Sequence, residues 1–430
     1  MKKNIKPELL APAGDLKKLK YAFEYGADAV YCGLPIFSLR AKTGFNLKTL
    51  IEGIEYTKLN KKKIYITINI FPKNEDLPKI EKHLKNLKEC PPDALIISDP
   101  GVLKIVKKIL PKIHIFLSTQ ANTLNHQAVS FWKDLGIKRI ILGREVNLDD
   151  IKKIHKLVKK VDLEIFVHGA MCMSYSGRCY LSSWLTGRSA NKGLCTQPCR
   201  WNYNLYLEEP LRPGMLIPIT EDKKGTYILN SKDLCLIDHL KELIDSGISS
   251  FKLEGRTKSI YYLAVATKAY RQAIDLIFSN RPEKEKVIII YKIKKELEKV
   301  ENRGYETGFM FEKNHDKLMN FKTSKPKNKW EFKGQILQVK DSRIYARVHN
   351  ILENGSSIEI ITPKSIYQIK VRDLKNNKGE KIKEAKGDAS KIFNFEVENL
   401  EKYKIEPKSL MRKKKSTKSL QNSVLEKTLR

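Results

Sequence analysis

Eight short apolar runs recur along the first part of the chain, and each ends in small or polar residues. They are ELLAPAG (8–14), DAVYCG (28–33), IYITINI (64–70), ALIISDP (94–100), IHIFLSTQ (113–120), RIILGRE (139–145), LEIFVHG (163–169) and SFKLEGR (250–256). Most are nearly continuous rather than alternating, as expected of strands buried on both faces of a parallel sheet. Helical patterns fill the gaps. In DLKKLKYAFEYG, Asp15 suits an N-cap, Leu16, Leu19, Ala22 and Phe23 form one apolar face, and Gly26 ends the segment. NLKTLIEGIEYTKL, LPKIEKHLKNLKE, GVLKIVKKIL, NHQAVSFWKDLG, LDDIKKIHKLVKK and DLCLIDHLKELIDSG occupy later gaps. Eight strands alternating with helices predict an α/β fold, a (β/α)8 TIM-like barrel; the alternative is an open doubly wound sheet.

A barrel places its chemistry where strands end and loops begin. Those ends carry Tyr31, Asn69, Asp99, Ser118, Gln120, Arg144, Glu145, His168, Glu254 and Arg256. The plainer reading is that many of these are caps or satisfied core polar groups. After the seventh strand a long excursion, 170–248, intervenes before the eighth, so its first part is expected over the barrel mouth. That part holds four of the seven cysteines, Cys172, Cys179, Cys195 and Cys199.

The rest of the chain divides by texture. Residues 1–313 read as the barrel domain with its cysteine insertion, and the polar, basic stretch 314–330 as a linker. Residues 331–411 alternate like strands, with turns at Asn354-Gly355, Asn377-Lys378-Gly379 and Gly387-Asp388, and predict a small antiparallel β-barrel. Residues 412–430 read as a basic disordered tail.

Lys plus Arg number 82 against 49 for Asp plus Glu in 430 residues, a net charge of +33. Such an excess favours a polyanionic partner such as nucleic acid. The blander reading is compositional, because Lys, Ile and Asn are abundant together. No apolar run is long enough to span a bilayer, and the first residues lack a signal core, so a cytoplasmic protein without a membrane partner is expected.

Clustered thiols in a reducing compartment bind metal or react more often than they form disulfides. The spacing is C-x6-C, then fifteen residues, then C-x3-C. Structural zinc sites favour tighter pairs, whereas the wide first spacing suits a bulkier iron–sulfur cluster held by loops, with Gly177, Gly187 and Gly193 allowing close backbone approach. Cys235 is a fifth candidate. Any four of the five would suffice for a cubane, and spacing alone does not choose among them. Zinc and unligated thiols remain the alternatives, and Cys32 and Cys90 read as ordinary small apolar residues.

PELLAPAG, YGADAVYCG, HGAMCMSYSGRCYLS, GLCTQPCRW, NSKDL and KLEGRTKSIYY, in this order, resemble the collagenase-like peptidase family U-32. Within it the chain looks most like the members that act on tRNA. The resemblance runs from Pro7 to about Tyr270 and continues into the family's C-terminal β domain. It implies a 4Fe-4S protein, despite the peptidase name. It also implies oxygen-independent hydroxylation of wobble uridine to 5-hydroxyuridine, with prephenate as the co-substrate. By motif, Cys172, Cys179 and Cys195 match cluster-ligand positions, and the fourth ligand is Cys199 or Cys235. Relatives act on ribosomal RNA or, as paired proteins, on the ubiquinone ring, so a paralogous family member is a further candidate partner besides tRNA.

An anticodon-loop uridine is already partly unstacked, so moving it into a barrel mouth costs little. Arg144, Arg178, Arg200 and Arg256 suit a small dicarboxylate, since guanidinium meets carboxylate in bidentate geometry. Asn69 and Gln120 are further substrate-binding candidates. His168 and Glu254 are candidates for proton transfer, with Arg256 beside them. Tyr175 and Trp201 are candidates to stack on a base, packing being the plainer role. A peptidase is the rival enzyme class, but there is no HExxH and no G-x-S-x-G. Its one thiol–imidazole candidate is Cys179 with His168. A non-catalytic RNA-binding factor is the third reading.

Overall fold

The computed structural model describes residues 5–39, 44–172, 174–201, 203, 205–208, 210, 211, 213, 214, 216–219, 231–312, 315–318, 320, 329–388 and 390–415. The chain divides into two compact units, residues 1–295 with 302–327, and residues 296–301 with 328–430.

In the first unit, β1 (Glu8–Pro12), β2 (Ala29–Cys32), β3 (Lys63–Ile68), β4 (Ala94–Ile97), β5 (His114–Leu117), β6 (Arg139–Ile141) and β7 (Asp162–Ala170) pair in sequence order, all parallel. The chain then leaves the ring, forms the hairpin β8 (Leu205–Glu208) and β9 (Leu216–Ile219) and a short β10 (Asp233–Cys235), and returns as β11 (Ser250–Leu253). Strand β11 is parallel to both β7 and β1, which closes an eight-stranded barrel and excludes the open sheet. Each of the eight apolar runs contributes one barrel strand.

The helices start where the loops supply a side-chain cap. Asp15 accepts from the Lys18 N–H at 2.7 Å before α1 (Leu16–Glu24), and Asn46 and Thr49 form a capping box on α2 (Leu47–Leu59). Asp99 caps the helix Pro100–Ile109, Asn125 caps His126–Asp134 and Asn147 caps Leu148–Leu157. Ser259 does the same for the long helix Ile260–Ile277. Each cap satisfies an otherwise orphaned N–H in a short βα loop and fixes where the strand end stops. Among the described residues no helix is long and apolar enough to cross a membrane.

The segment 233–247 does not form one continuous helix as its pattern suggested. Asp233, Leu234 and Cys235 pair antiparallel with Ala170, Gly169 and His168, and the helix begins only at Leu240. The extended end of β7 offers unpaired backbone groups, and β10 satisfies them.

The barrel interior is ionic as well as apolar. Arg139 donates to Glu8 at 2.5 Å and to the fully buried Glu164 at 3.2 Å, Tyr65 donates to Glu8 at 2.7 Å, and Lys252 donates to Glu164 at 2.9 Å. Burial alone would push the Glu164 carboxyl up, but Lys252 and Arg139 together hold it below the usual carboxylate range. Two acids and two bases thus neutralise one another in the barrel interior, with Glu164 fully buried.

Among the described residues the second unit is a seven-stranded antiparallel sheet with a separate two-stranded pair. Its longest strands are Trp330–Lys340 and Arg343–Val348, and Ile336, Ile344, Ile358, Ile360, Phe395 and Met411 fill its core. Its last strand, Leu410–Lys414, extends into the stretch read as a tail. Arg412 there is fully buried and pairs with Glu296 and Glu359, so charge pairing keeps a basic residue in the sheet. Residues 416–430 lie outside the described residues. Of the stretch read as a linker, His315–Leu318 form a 3-10 turn, Leu318 and Asn320 are buried, and Trp330 begins a strand.

Candidate active site at the barrel mouth

A cavity of about 360 Å³ opens at the C-terminal ends of the barrel strands. Asn69, Gln120, Arg144, Glu254 and Arg256 line it, with the loop residues Arg178, Cys172, Cys179, Cys195 and Cys199. The strand ends therefore bring together most of the residues expected there, and the excursion delivers four thiols to the same space.

The polar groups are held in place. Asn69 donates to the Ser118 hydroxyl at 3.0 Å and accepts from the Leu39 N–H at 3.3 Å. Arg256 donates to Ser38 at 3.2 Å and to Thr67 at 3.0 Å. Arg144 stands 4.0 Å above the Phe166 ring and 3.6 Å from the Glu254 carboxylate. Lys252 also reaches the cavity, its ammonium 4.3 Å from the Tyr31 ring centre. Its place was missed in the sequence. The signal was a charged residue inside an otherwise apolar strand, SFKLE, and the same signal marks Glu8, Arg139 and Glu164.

The thiol loop is seated on the barrel by close contacts. Ser176 donates its N–H to Glu145 at 2.8 Å, and the Thr119 hydroxyl lies 3.3 Å from that of Ser176. Gly177 has φ +77°, and a Cβ there would stand 2.6 Å from the Gln120 carbonyl oxygen. Only glycine allows both the left-handed turn and the approach. Further along, Asn191 donates to the Cys179 carbonyl at 3.3 Å, and the Phe71 N–H donates to the Asn191 carbonyl at 3.1 Å.

The four loop thiols sense one another. Burial raises the Cys199 pKa, the Arg200 guanidinium opposes the rise, and Cys172, Cys195 and Cys179 add to it. The Gln197 N–H points at the Cys195 sulfur at 3.3 Å. Arg200 does not line the cavity; it lies behind the thiols and donates to the Met171 carbonyl at 3.3 Å and to Gln197 at 2.8 Å. Four soft sulfur donors with a neighbouring guanidinium and an N–H···S contact suit an anionic iron–sulfur group. Among the described residues no three Cys, His, Asp or Glu side chains converge on a single-ion position.

Two further expected residues lie elsewhere. Cys235 is buried on β10, does not line the cavity, and has its sulfur 3.7 Å from the Tyr270 hydroxyl; burial pushes its thiol up to about 11. His168 is fully buried and does not line the cavity either. Its ring packs among Tyr262, Tyr270 and Tyr305 with centroids 5.3–5.8 Å away. Burial lowers its pKa to about 4. Its side chain sits behind the mouth because β7 continues past the barrel and pairs with β10, turning this stretch into wall.

The fold and site define a closed parallel β/α barrel that carries a thiol-rich loop over its catalytic face. The chain belongs to peptidase family U32: residues 14–320 match the model of that family, and residues 328–412 match that of the peptidase family U32 C-terminal domain. It is 38% identical to tRNA hydroxylation protein P of Escherichia coli over 428 residues, covering 90% of this chain and 93% of that protein. It is 43% identical to tRNA hydroxylation protein P of Helicobacter pylori, covering 83% of this chain and 84% of that protein. A 23S rRNA 5-hydroxycytidine C2501 synthase of Escherichia coli is 36% identical and covers 64% of this chain and 40% of that protein.

Proposed function

We propose that this chain is a cytoplasmic RNA hydroxylase that converts the wobble uridine of tRNA to 5-hydroxyuridine without molecular oxygen. On this reading Cys172, Cys179, Cys195 and Cys199 hold a 4Fe-4S cluster, and a small dicarboxylate, prephenate, is the co-substrate. One observation carries it: four thiols and several cationic side chains face one cavity, in a chain similar over most of its length to tRNA hydroxylation proteins. The shared cavity and the mutual influence of the four thiols favour Cys199 over Cys235 as the fourth ligand.

Bound there, such a cluster supplies redox and Lewis-acid chemistry at the cavity wall. The chain's own side chains do the rest. Arg144 and Arg256 line the cavity and are the guanidiniums we assign to two carboxylates, with Arg178 as a further cation there. The Asn69 and Gln120 amides offer donors and acceptors to a base edge. Glu254, which follows β11 beside Arg144, is the carboxylate we assign to take the proton that C5 loses.

Proteolysis, the reading suggested by the family name, lacks its dyad: Cys179 faces the cavity and His168 does not. The test is nucleoside mass spectrometry of tRNA from a deletion strain, complemented with wild type or with Cys172→Ala. Loss of 5-hydroxyuridine and its derivatives, restored by wild type alone, is the expected result. Persistence in the deletion strain, with no paralogue to supply it, overturns the tRNA assignment.

A further inference from the structure

The cysteine excursion exposes aromatic rings that a soluble protein ordinarily covers. Tyr175 is 60%, Tyr180 74%, Trp184 70% and Trp201 43% exposed. Side chains this large and apolar, gathered in one short segment, mark an interaction surface rather than packing. Tyr175 and Tyr180 also line the cavity, so two of the exposed rings lie at the site itself. Trp184 lies on the helix Leu181–Thr186, which packs against the turn Pro198–Arg200 that precedes Trp201.

The scaffold beneath the rings is tied together by hydrogen bonds. Ser182 donates to the Arg188 carbonyl at 2.7 Å, its hydroxyl lies 3.1 Å from that of Thr196, and the Thr196 N–H donates back to it at 3.1 Å. The segment's own charge is one-sided: no Asp or Glu occurs between Glu164 and Glu208, and Arg178 and Arg188 are exposed in it, while the acids nearby, Glu145 and Glu254, belong to the barrel strand ends. Flat rings interleaved with cations on one segment suit unpaired nucleotides. Each base offers a π-face, each phosphate a negative charge, and only unpaired bases can expose their faces.

We infer that Tyr175, Tyr180, Trp184 and Trp201 form a stacking platform that holds the unpaired nucleotides flanking the base delivered to the cavity, with Arg178 and Arg188 on their phosphates. The inference rests on the RNA reading above and adds where, and in what form, RNA is gripped. It makes the enzyme selective for loops over duplexes before any base is read.

The test uses the full-length, anaerobically loaded protein and two RNA probes: an anticodon stem–loop, and a blunt duplex of equal length and charge. The Tyr180→Ala/Trp184→Ala double variant is expected to bind the stem–loop roughly ten-fold or more weakly, with duplex binding little changed. Its salt slope should match that of wild type, because the cations remain. Trp184→Phe should stay close to wild type, and Trp201→Ala gives an independent reading through a separate turn. Unchanged stem–loop affinity in the double variant and in Trp201→Ala overturns the platform and leaves the RNA reading standing. Equal loss for stem–loop and duplex also overturns it. Absence of RNA binding by wild type, with the rings instead mediating protein association, overturns both.

Discussion

Gly177 rests on Gln120: a Cβ on the glycine would stand 2.6 Å from the Gln120 carbonyl oxygen and 2.9 Å from its side-chain oxygen. This contact joins the thiol loop to the end of a barrel strand. Gly177→Ala is therefore expected to lift the loop and lower the iron bound after anaerobic reconstitution, while the barrel still melts cooperatively. Gly187→Ala is the control, because nothing lies within 4 Å of a Cβ there and only its φ of +66° opposes the change. That strain costs about 1–2 kcal/mol. Equal iron content in the two variants would show that the contact does not seat the loop.

The thiols divide by place, which gives a chemical prediction. In metal-free protein, alkylation followed by peptide mass spectrometry should label the exposed Cys172 and Cys195 readily. Cys235 and Cys32 should resist, since burial pushes their thiols up to about 11 and about 12. Cys199→Ala should abolish the visible absorbance of the reconstituted protein, and Cys235→Ala should leave it. The reverse outcome would move the fourth ligand to β10.

His168 ties stability to pH. Burial depresses its folded-state pKa from 6.5 to about 4, and His83 shows the same shift. As pH falls below about 6.5, the unfolded chain takes up protons that the folded chain refuses. The stabilisation is thus complete above that value and lost between there and about 4, at up to about 1.4 kcal/mol per pH unit for each histidine. His168→Phe should flatten the acid limb of a melting-temperature profile. It should also keep RNA hydroxylation within a few-fold of wild type, because the ring does not line the cavity. A collapse of turnover with intact folding would restore His168 as a proton carrier.

The ionic plug should be costly to break. Glu164 is fully buried and holds Lys252 at 2.9 Å and Arg139 at 3.2 Å. Glu164→Leu leaves the buried Lys252 without its carboxylate and Arg139 with Glu8 and Asp162, and should cost about 3–5 kcal/mol in denaturant unfolding. Lys252→Met paired with Glu164→Leu should recover part of that loss. A single variant as stable as wild type would mean that Glu164 does not compensate these charges.

The sequence by itself determined the ring of strands, the Asp15 cap of the first helix and the cysteine excursion over the mouth. These are local matters: continuous apolar runs, a side-chain oxygen ahead of a helix, and a loop too long for a βα connection. It also marked Asn69, Gln120, Arg144, Glu254 and Arg256, because the end of a parallel strand has a defined direction. The tertiary structure alone decided what depends on where distant segments meet. Cys199 and Cys235 have equal claims in sequence; the folded chain brings Cys199 to the other thiols and pairs Cys235 with His168 on β7. His168 follows a barrel strand like its neighbours in the site, yet the antiparallel addition of β10 turns that position into wall. Glu8, Arg139, Glu164 and Lys252 are single charges in separate apolar runs, and only closure of the barrel brings them within hydrogen-bonding distance. Burial and pairing depend on contacts between residues far apart in the chain, and no local pattern encodes them.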